Sequence, residues 1–182
     1  MKKNMWCTFV CILLIITCCS LTQAATVIVP DTEKESGKTI KIPITIENAD
    51  NIGGMNITIS YENTVLNAQS VEKGTLTTDA LLEYDLDTEG VIKIIWVSTE
   101  GIDGDGSLAV ISFDVIGNAD DTSNIDVTSI EAADVDTLID IIIPVQNGIF
   151  TVTKKSDTPF PTEITFIALA LSLIIVTLRR KK

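Results

Sequence analysis

Between residues 39 and 47 four isoleucines, Ile40, Ile42, Ile44 and Ile46, alternate with Thr39, Lys41, Pro43, Thr45 and Glu47. A period of two puts alternate side chains on opposite faces of an extended chain, so this run is a strand with one face buried and one wet. The pattern recurs. Met55, Ile57, Ile59 and Tyr61 face one way and Asn56, Thr58 and Ser60 the other, and Leu82, Tyr84 and Leu86 oppose Glu83, Asp85 and Asp87. Residues 91–98, 108–115, 125–130, 139–143 and 148–153 supply further strands, separated by turn formers such as Asn63, Gly90, Asp103, Gly104, Gly117 and Gly148. No stretch among them carries the 3.6-residue apolar period of an amphipathic helix. Many short strands at regular spacing predict an all-β chain folded as an antiparallel β-sandwich. Pro43 is the discordant residue: it has no N–H for a ladder, so a bulge is expected there.

The two ends read as addresses rather than as fold. Lys2 and Lys3, an apolar run over residues 5–21 and the small residues Ala24 and Ala25 predict a secretory signal peptide spanning residues 1–25. An uncleaved N-terminal anchor, or a lipoprotein acylated at Cys18 or Cys19, are the alternatives. All four cysteines (Cys7, Cys11, Cys18, Cys19) lie inside this leader, so the exported chain has neither a disulfide framework nor a thiol nucleophile. At the other end, residues 164–178 are uncharged and apolar, and Arg179, Arg180, Lys181 and Lys182 follow at once. As a helix that segment rises ~22 Å against a hydrocarbon core of ~30 Å, a marginal span whose basic end fits the cytoplasmic side. Pro159, Phe160, Pro161 and Thr162 before it make the tail resemble an archaeal C-terminal sorting signal as well. The expected organisation is a domain over residues 26–153, a short linker over 154–163, and a transmembrane or sorting segment over 164–182. Either tail holds the domain at the outer face of a membrane, and the absence of an internal repeat makes it a single module, which is expected to be monomeric.

Charge and residue inventory exclude whole classes of function. Residues 25–153 carry 23 Asp and Glu against 5 Lys and no Arg, a formal charge of −18. Nucleic-acid binding needs a basic footprint and is excluded. Such acidity serves solubility, or life in a salty medium, as readily as it serves a partner. The chain has no histidine, which removes the commonest general base along with the usual transition-metal ligand. Carboxylate pairs remain, but in so acidic a chain they arise by chance, and a glycosidase pair also needs an aromatic-lined cleft. The chain is read as a non-enzyme without a cofactor or metal site of its own. Asp103, Gly104, Asp105 and Gly106 have the opening spacing of a calcium loop, yet the twelfth position, Asp114, falls in a strand pattern; a turn is the better reading.

One tract is more specific than any of this. Asn48, Asn51, Ile52, Gly53, Gly54, Met55 and Asn56 open a strand that closes on Tyr61-Glu62, and Val65-Leu66 and then Val71 to Gly74 follow. With residues 86–96, 106–117 and 145–152, this pattern resembles that of the cohesin family across nearly all of the domain. The resemblance implies a nine-stranded jelly-roll sandwich and a docking function: cohesins hold a dockerin, a small calcium-loaded domain attached to another extracellular protein. Calcium is then expected in the partner.

Carried onto this chain, the family's contact strands match residues 54–61, 82–87 and 92–100. Outward parity selects Asn56, Thr58 and Ser60 on the first and Glu83, Asp85 and Asp87 on the second. The resemblance adds Trp96, Ser98, Thr99 and Glu100 on the third. The acidic row departs from the mixed polar and aromatic positions usual in the family and implies a partner helix bearing Lys or Arg. Trp96 is expected either as an exposed anchor or as core, because both sides of the 91–97 run are apolar. A cohesin-like surface or adhesion domain that binds carbohydrate is the alternative function, with Trp96 as its ring.

Overall fold

The computed structural model describes residues 24–155. The expected leader, apart from its last two residues, and the expected C-terminal segment lie outside the described residues, as does most of the linker.

Ten strands follow in order: β1 (Thr26–Ile28), β2 (Thr32–Glu35), β3 (Thr39–Ser60), β4 (Leu66–Lys73), β5 (Leu81–Asp85), β6 (Val91–Val115), β7 (Thr122–Asp134), β8 (Asp140–Ile141), β9 (Val145–Gln146) and β10 (Gly148–Thr153). No helix interrupts them among the described residues. β3 and β6 are 22 and 25 residues long and pair antiparallel along most of their length. Each therefore contributes two of the strands that the alternation predicts separately. One layer runs β5–β6–β3–β7–β8 through the early half of β6 and the late half of β3. The other runs β4–β6–β3–β1–β9 through their remaining halves, and β10 with β2 extends from the start of β7.

The passage between layers is visible as a change of buried parity. Ile42, Ile44 and Ile46 are sealed in the early half of β3, whereas Met55, Ile57 and Ile59 are sealed in the late half. Even numbers give way to odd, which demands irregular backbone between, and the register shifts fall between Ile44 and Gly54. Asn48 and Asn51 take positive φ there (54° and 53°), a conformation asparagine tolerates better than most residues. β6 makes the same exchange from Ile92, Ile94 and Trp96 to Ile111, Phe113 and Val115. All these side chains meet in one core, and burying each large aliphatic contributes roughly 1.5–3 kcal/mol.

Three expectations are corrected. Pro43 pairs with Val110 in regular register; the shift comes between Ile44 and Thr45, where Leu108 of β6 is the extra residue. Thr45 is also where pairing with β1 begins, at Ile28, so Pro43 lies beyond the end of that pairing. The sandwich is not purely antiparallel: β1 with β9 and β10 with β2 are parallel, brought together by the long stretch of chain between them. The strand expected over 139–143 shrinks to the two residues of β8, leaving Ile139 and Ile142 exposed. β1, β2 and β4 were not among the runs singled out by alternation; they are short or polar.

Candidate docking face

The layer β5–β6–β3–β7 has one sealed and one open surface, and pairing register decides which side chains share the open one. Across the sheet Leu81, Val97, Gly54 and Ala133 form one row. Glu83, Ile95, Asn56 and Glu131 form the next, and Asp85, Lys93, Thr58 and Ser129 a third. Val91, Ser60 and Asp126 complete it. The upper β5–β6 corner of this face is aliphatic: Leu81 is 65% exposed, Ile95 49% and Val97 52%.

Gly53 and Gly54 show why the motif has two glycines at the head of this strand. A Cβ on Gly53 would stand 2.7 Å from the Cα and Cβ of Val135, so the following segment could not close over it. A Cβ on Gly54 would stand 3.2 Å from the Trp96 carbonyl oxygen and 3.6 Å from Val97 Cγ2. Tyr61, at the strand's end, sets its ring edge-on to Phe113 at 5.2 Å, and its hydroxyl accepts the Ala68 N–H at 3.4 Å. Glu62 follows, its N–H donating to Ser123 Oγ at 2.9 Å while its carbonyl accepts from Val65 and Leu66. The motif residues thus hold the ends of the strand that runs through the face.

Asn56, Thr58 and Ser60 lie on the open side, half-buried, as parity predicts. Asn56 Nδ2 donates to Glu131 Oε2 at 3.3 Å. Glu83 and Asp85 are exposed on β5, and Asp85 stands 3.9 Å from Lys93 Nζ. Asp87 is exposed past the end of β5, where its N–H donates to Asp85 Oδ1 at 2.8 Å. Thr99 and Glu100 lie beyond Val97, the last β6 residue paired to both neighbours in this layer, so they flank the face.

Of the two places expected for Trp96 the structure shows the core, which removes it from the contact residues. It is completely buried, among the largest sealed side chains, and its indole N–H finds no partner. Ser98 shares its parity, is half-buried, and accepts the Glu100 N–H at 3.2 Å. The residues that β6 presents outward are instead Lys93, Ile95 and Val97. Sequence reasoning missed these together with Leu81, Asp126 and Glu131. For β6 a signal was available: a lysine does not sit in a sandwich core, so Lys93 puts every odd-numbered neighbour outside. With Trp96 sealed, Tyr84, 45% exposed, is the one exposed aromatic among the described residues, and a sugar-stacking platform is not built.

At the end of the sandwich where β3 and β6 change layers, carboxylates cap backbone. Asp103 Oδ1 accepts the Asn51 N–H at 2.8 Å and Asp105 Oδ1 the Asn48 N–H at 2.7 Å. The turn expected over Asp103 to Gly106 is instead an irregular stretch of the continuous strand β6, where its register with β3 shifts. No group of acidic side chains with metal-holding geometry occurs among the described residues. Asp134 takes the Thr137 N–H (2.7 Å) and hydroxyl (2.8 Å), with Asn51 Nδ2 and the Asp136 N–H each at 3.0 Å. These donors, Thr137's foremost, favour the charged form, and against a smaller opposing effect of burial they hold the carboxyl below its ordinary value of 3.8.

The Cohesin domain family model matches residues 25–152. Among solved structures, a non-cellulosomal cohesin from the hyperthermophilic archaeon Archaeoglobus fulgidus is 31% identical, with a TM-score of 0.68 over 74% of this chain and 95% of that one. The OlpC cohesin of Clostridium thermocellum, solved in complex with the dockerin Doc435, is 21% identical with a TM-score of 0.66, covering 72% and 94%. The sixth cohesin of Acetivibrio cellulolyticus scaffoldin B, solved with a Cel5 dockerin mutant, is 18% identical with a TM-score of 0.66, covering 71% and 99%. Comparison with curated proteins finds no match. The last two likenesses speak for the jelly-roll fold alone; the family match over the whole sandwich and the archaeal relative go further, and on them the chain belongs to the cohesin family.

Proposed function

We propose that this chain is an exported docking module that holds a dockerin-bearing protein on the open face of β5–β6–β3–β7. The observation that carries the reading is the face itself. Three aliphatic side chains stand 49–65% exposed on the open side of the sheet, beside polar groups, in a fold whose relatives have been solved bound to dockerins. A contiguous group of exposed aliphatics bordered by polar residues is what a protein interface needs, and it offers nothing to a catalytic mechanism. The module acts as a monomer, needs no metal itself, and is held outside the cell by its C-terminal segment. An archaeal relative described as non-cellulosomal supports a setting other than a cellulosome.

Pull-down from extracellular protein, with and without a calcium chelator, tests this. Metal-dependent folding of the partner predicts that capture is lost on chelation, while the melting temperature of this chain does not move. Capture that persists without calcium, or a large calcium-induced stabilisation of the chain alone, would overturn the proposal. Fractionation and intact-mass analysis of the native protein report on export and on the fate of both ends.

A further inference from the structure

The open face carries its charges in an arrangement that specifies its partner's chemistry. Glu83 and Asp85 stand on β5 at one margin. Asp126 and Glu131 stand on β7 at the other, with Asp140 of β8 beside Ala133. Between them runs a band of Ile95, Val97, Asn56 and Thr58, with Lys93 its one cation, facing Asp85. Neighbouring strands are ~4.8 Å apart, so the margins lie roughly 14 Å from each other across three strand spacings. An α-helix with its side chains is ~10–12 Å wide. A single helix laid over the band therefore covers the band's aliphatic side chains while its own long flanking side chains reach both acidic margins.

We infer that the partner segment seated here is a cationic amphipathic helix: a narrow aliphatic stripe set over Ile95, Val97 and Leu81, with Lys or Arg on both sides of it. The inference rests on the docking reading above and adds the partner's charge pattern to it. A helix with acidic flanks meets like charge at both margins of the face and is rejected, which makes the two margins a selectivity device as well as an attractive one. Lysine or arginine on one side alone satisfies one margin. The stripe is aliphatic to match Ile95, Val97 and Leu81, the exposed aliphatic side chains of the face.

The test uses the full chain in detergent and a calcium-loaded dockerin scaffold in three versions, whose contact helix has Lys/Arg, Gln or Glu flanking its aliphatic stripe. An isolated amphipathic helical peptide with Lys/Arg on both flanks is a fourth probe. Association rates are followed against ionic strength for the unmodified chain, for E83Q/D85N/D126N/E131Q, and for the control E33Q/E47Q, on β2 and the early half of β3. The inference expects the basic-flanked dockerin to associate at least ~10-fold faster than the acidic one at low salt, the advantage shrinking as salt is raised. It expects that advantage to disappear in the quadruple variant and to survive in the control. Equal binding of all three dockerins, unchanged in the quadruple variant, overturns the inference and leaves the dockerin reading standing. Binding of the basic peptide, abolished by Ile95→Asp, with no dockerin bound in any version, supports the inference and removes the dockerin reading. Failure of every probe overturns the inference.

Discussion

Ile94 and Ile95 are adjacent, chemically identical and differently used: Ile94 is sealed in the core and Ile95 is 49% exposed on the open face. The same contrast runs through the whole β5–β6–β3–β7 layer. Its inner surface is Met55, Ile57, Ile59, Ile92, Ile94 and Trp96; its outer surface mixes Ile95, Val97 and Leu81 with Asn56, Thr58, Lys93 and carboxylates. Both surfaces use aliphatic side chains, so composition does not distinguish the sealed side from the open side. What separates them is that the inner side chains are met by the opposite layer, and the outer ones are not. Substitutions on the two sides should therefore move different quantities.

The largest effect is expected inside. Trp96→Ala should lower unfolding free energy by ~3–5 kcal/mol, the range for deleting a buried large aromatic, measured by urea unfolding. Trp96→Phe should cost much less, since it also removes a buried N–H that has no acceptor. A Trp96→Ala chain of normal stability with abolished docking would reverse the assignment of the two faces. Next comes the outer aliphatic group. Ile95→Asp and Val97→Asp should each weaken partner capture by ~2 kcal/mol or more, while stability changes by no more than ~1 kcal/mol, the span of strand preferences at such sites. Isothermal titration paired with unfolding curves checks both, and undiminished capture would move the docking surface elsewhere.

The glycine pair sharpens the comparison on a smaller scale. Gly53→Ala drives a Cβ into Val135 backbone at 2.7 Å, whereas Gly54→Ala crowds a carbonyl at 3.2 Å on the open side. The first should destabilise by ~1–3 kcal/mol, as overpacking does, and the second by less. Their order is the test, read from melting temperatures of the two variants. The smallest effect concerns neither face. The carboxyl of Asp134 is held below 3.8 in the folded chain, so its contribution to stability is present above that pH and is lost as the pH falls through the folded value. Acid unfolding curves of Asp134→Asn should be flatter in that window than those of the unmodified chain, and parallel curves would remove the group from the acid response.

Most strand positions in the sandwich were legible in the alternation, because period two is a local property that any half-buried strand must show. β3's inner and outer residues follow it without exception on either side of the crossover. The reading failed where alternation is absent or where two strands fuse. β2 is Thr, Glu, Lys, Glu and carries no apolar signal, and nothing local marks β3 and β6 as continuous through their register shifts. On the candidate face, Asn56, Thr58, Ser60, Glu83 and Asp85 were found by parity, while Trp96 and Ser98, carried over from the resemblance, have the inner parity of β6. Lys93 held the correct phase; the neighbouring apolar residues on both sides obscured it.

By itself the sequence determined the all-β class, the family motif, the acidity, the lack of histidine and the lack of cysteine beyond Cys19, because each follows from residue identity or near-neighbour spacing. Only the tertiary structure decided which of two apolar sides of β6 is covered, since burial depends on a layer supplied by residues far away in the chain. It alone placed Asp126 and Glu131 opposite Glu83 and Asp85, because the face is assembled by strand register, and register is set by bulges and side-chain fit that no local pattern encodes.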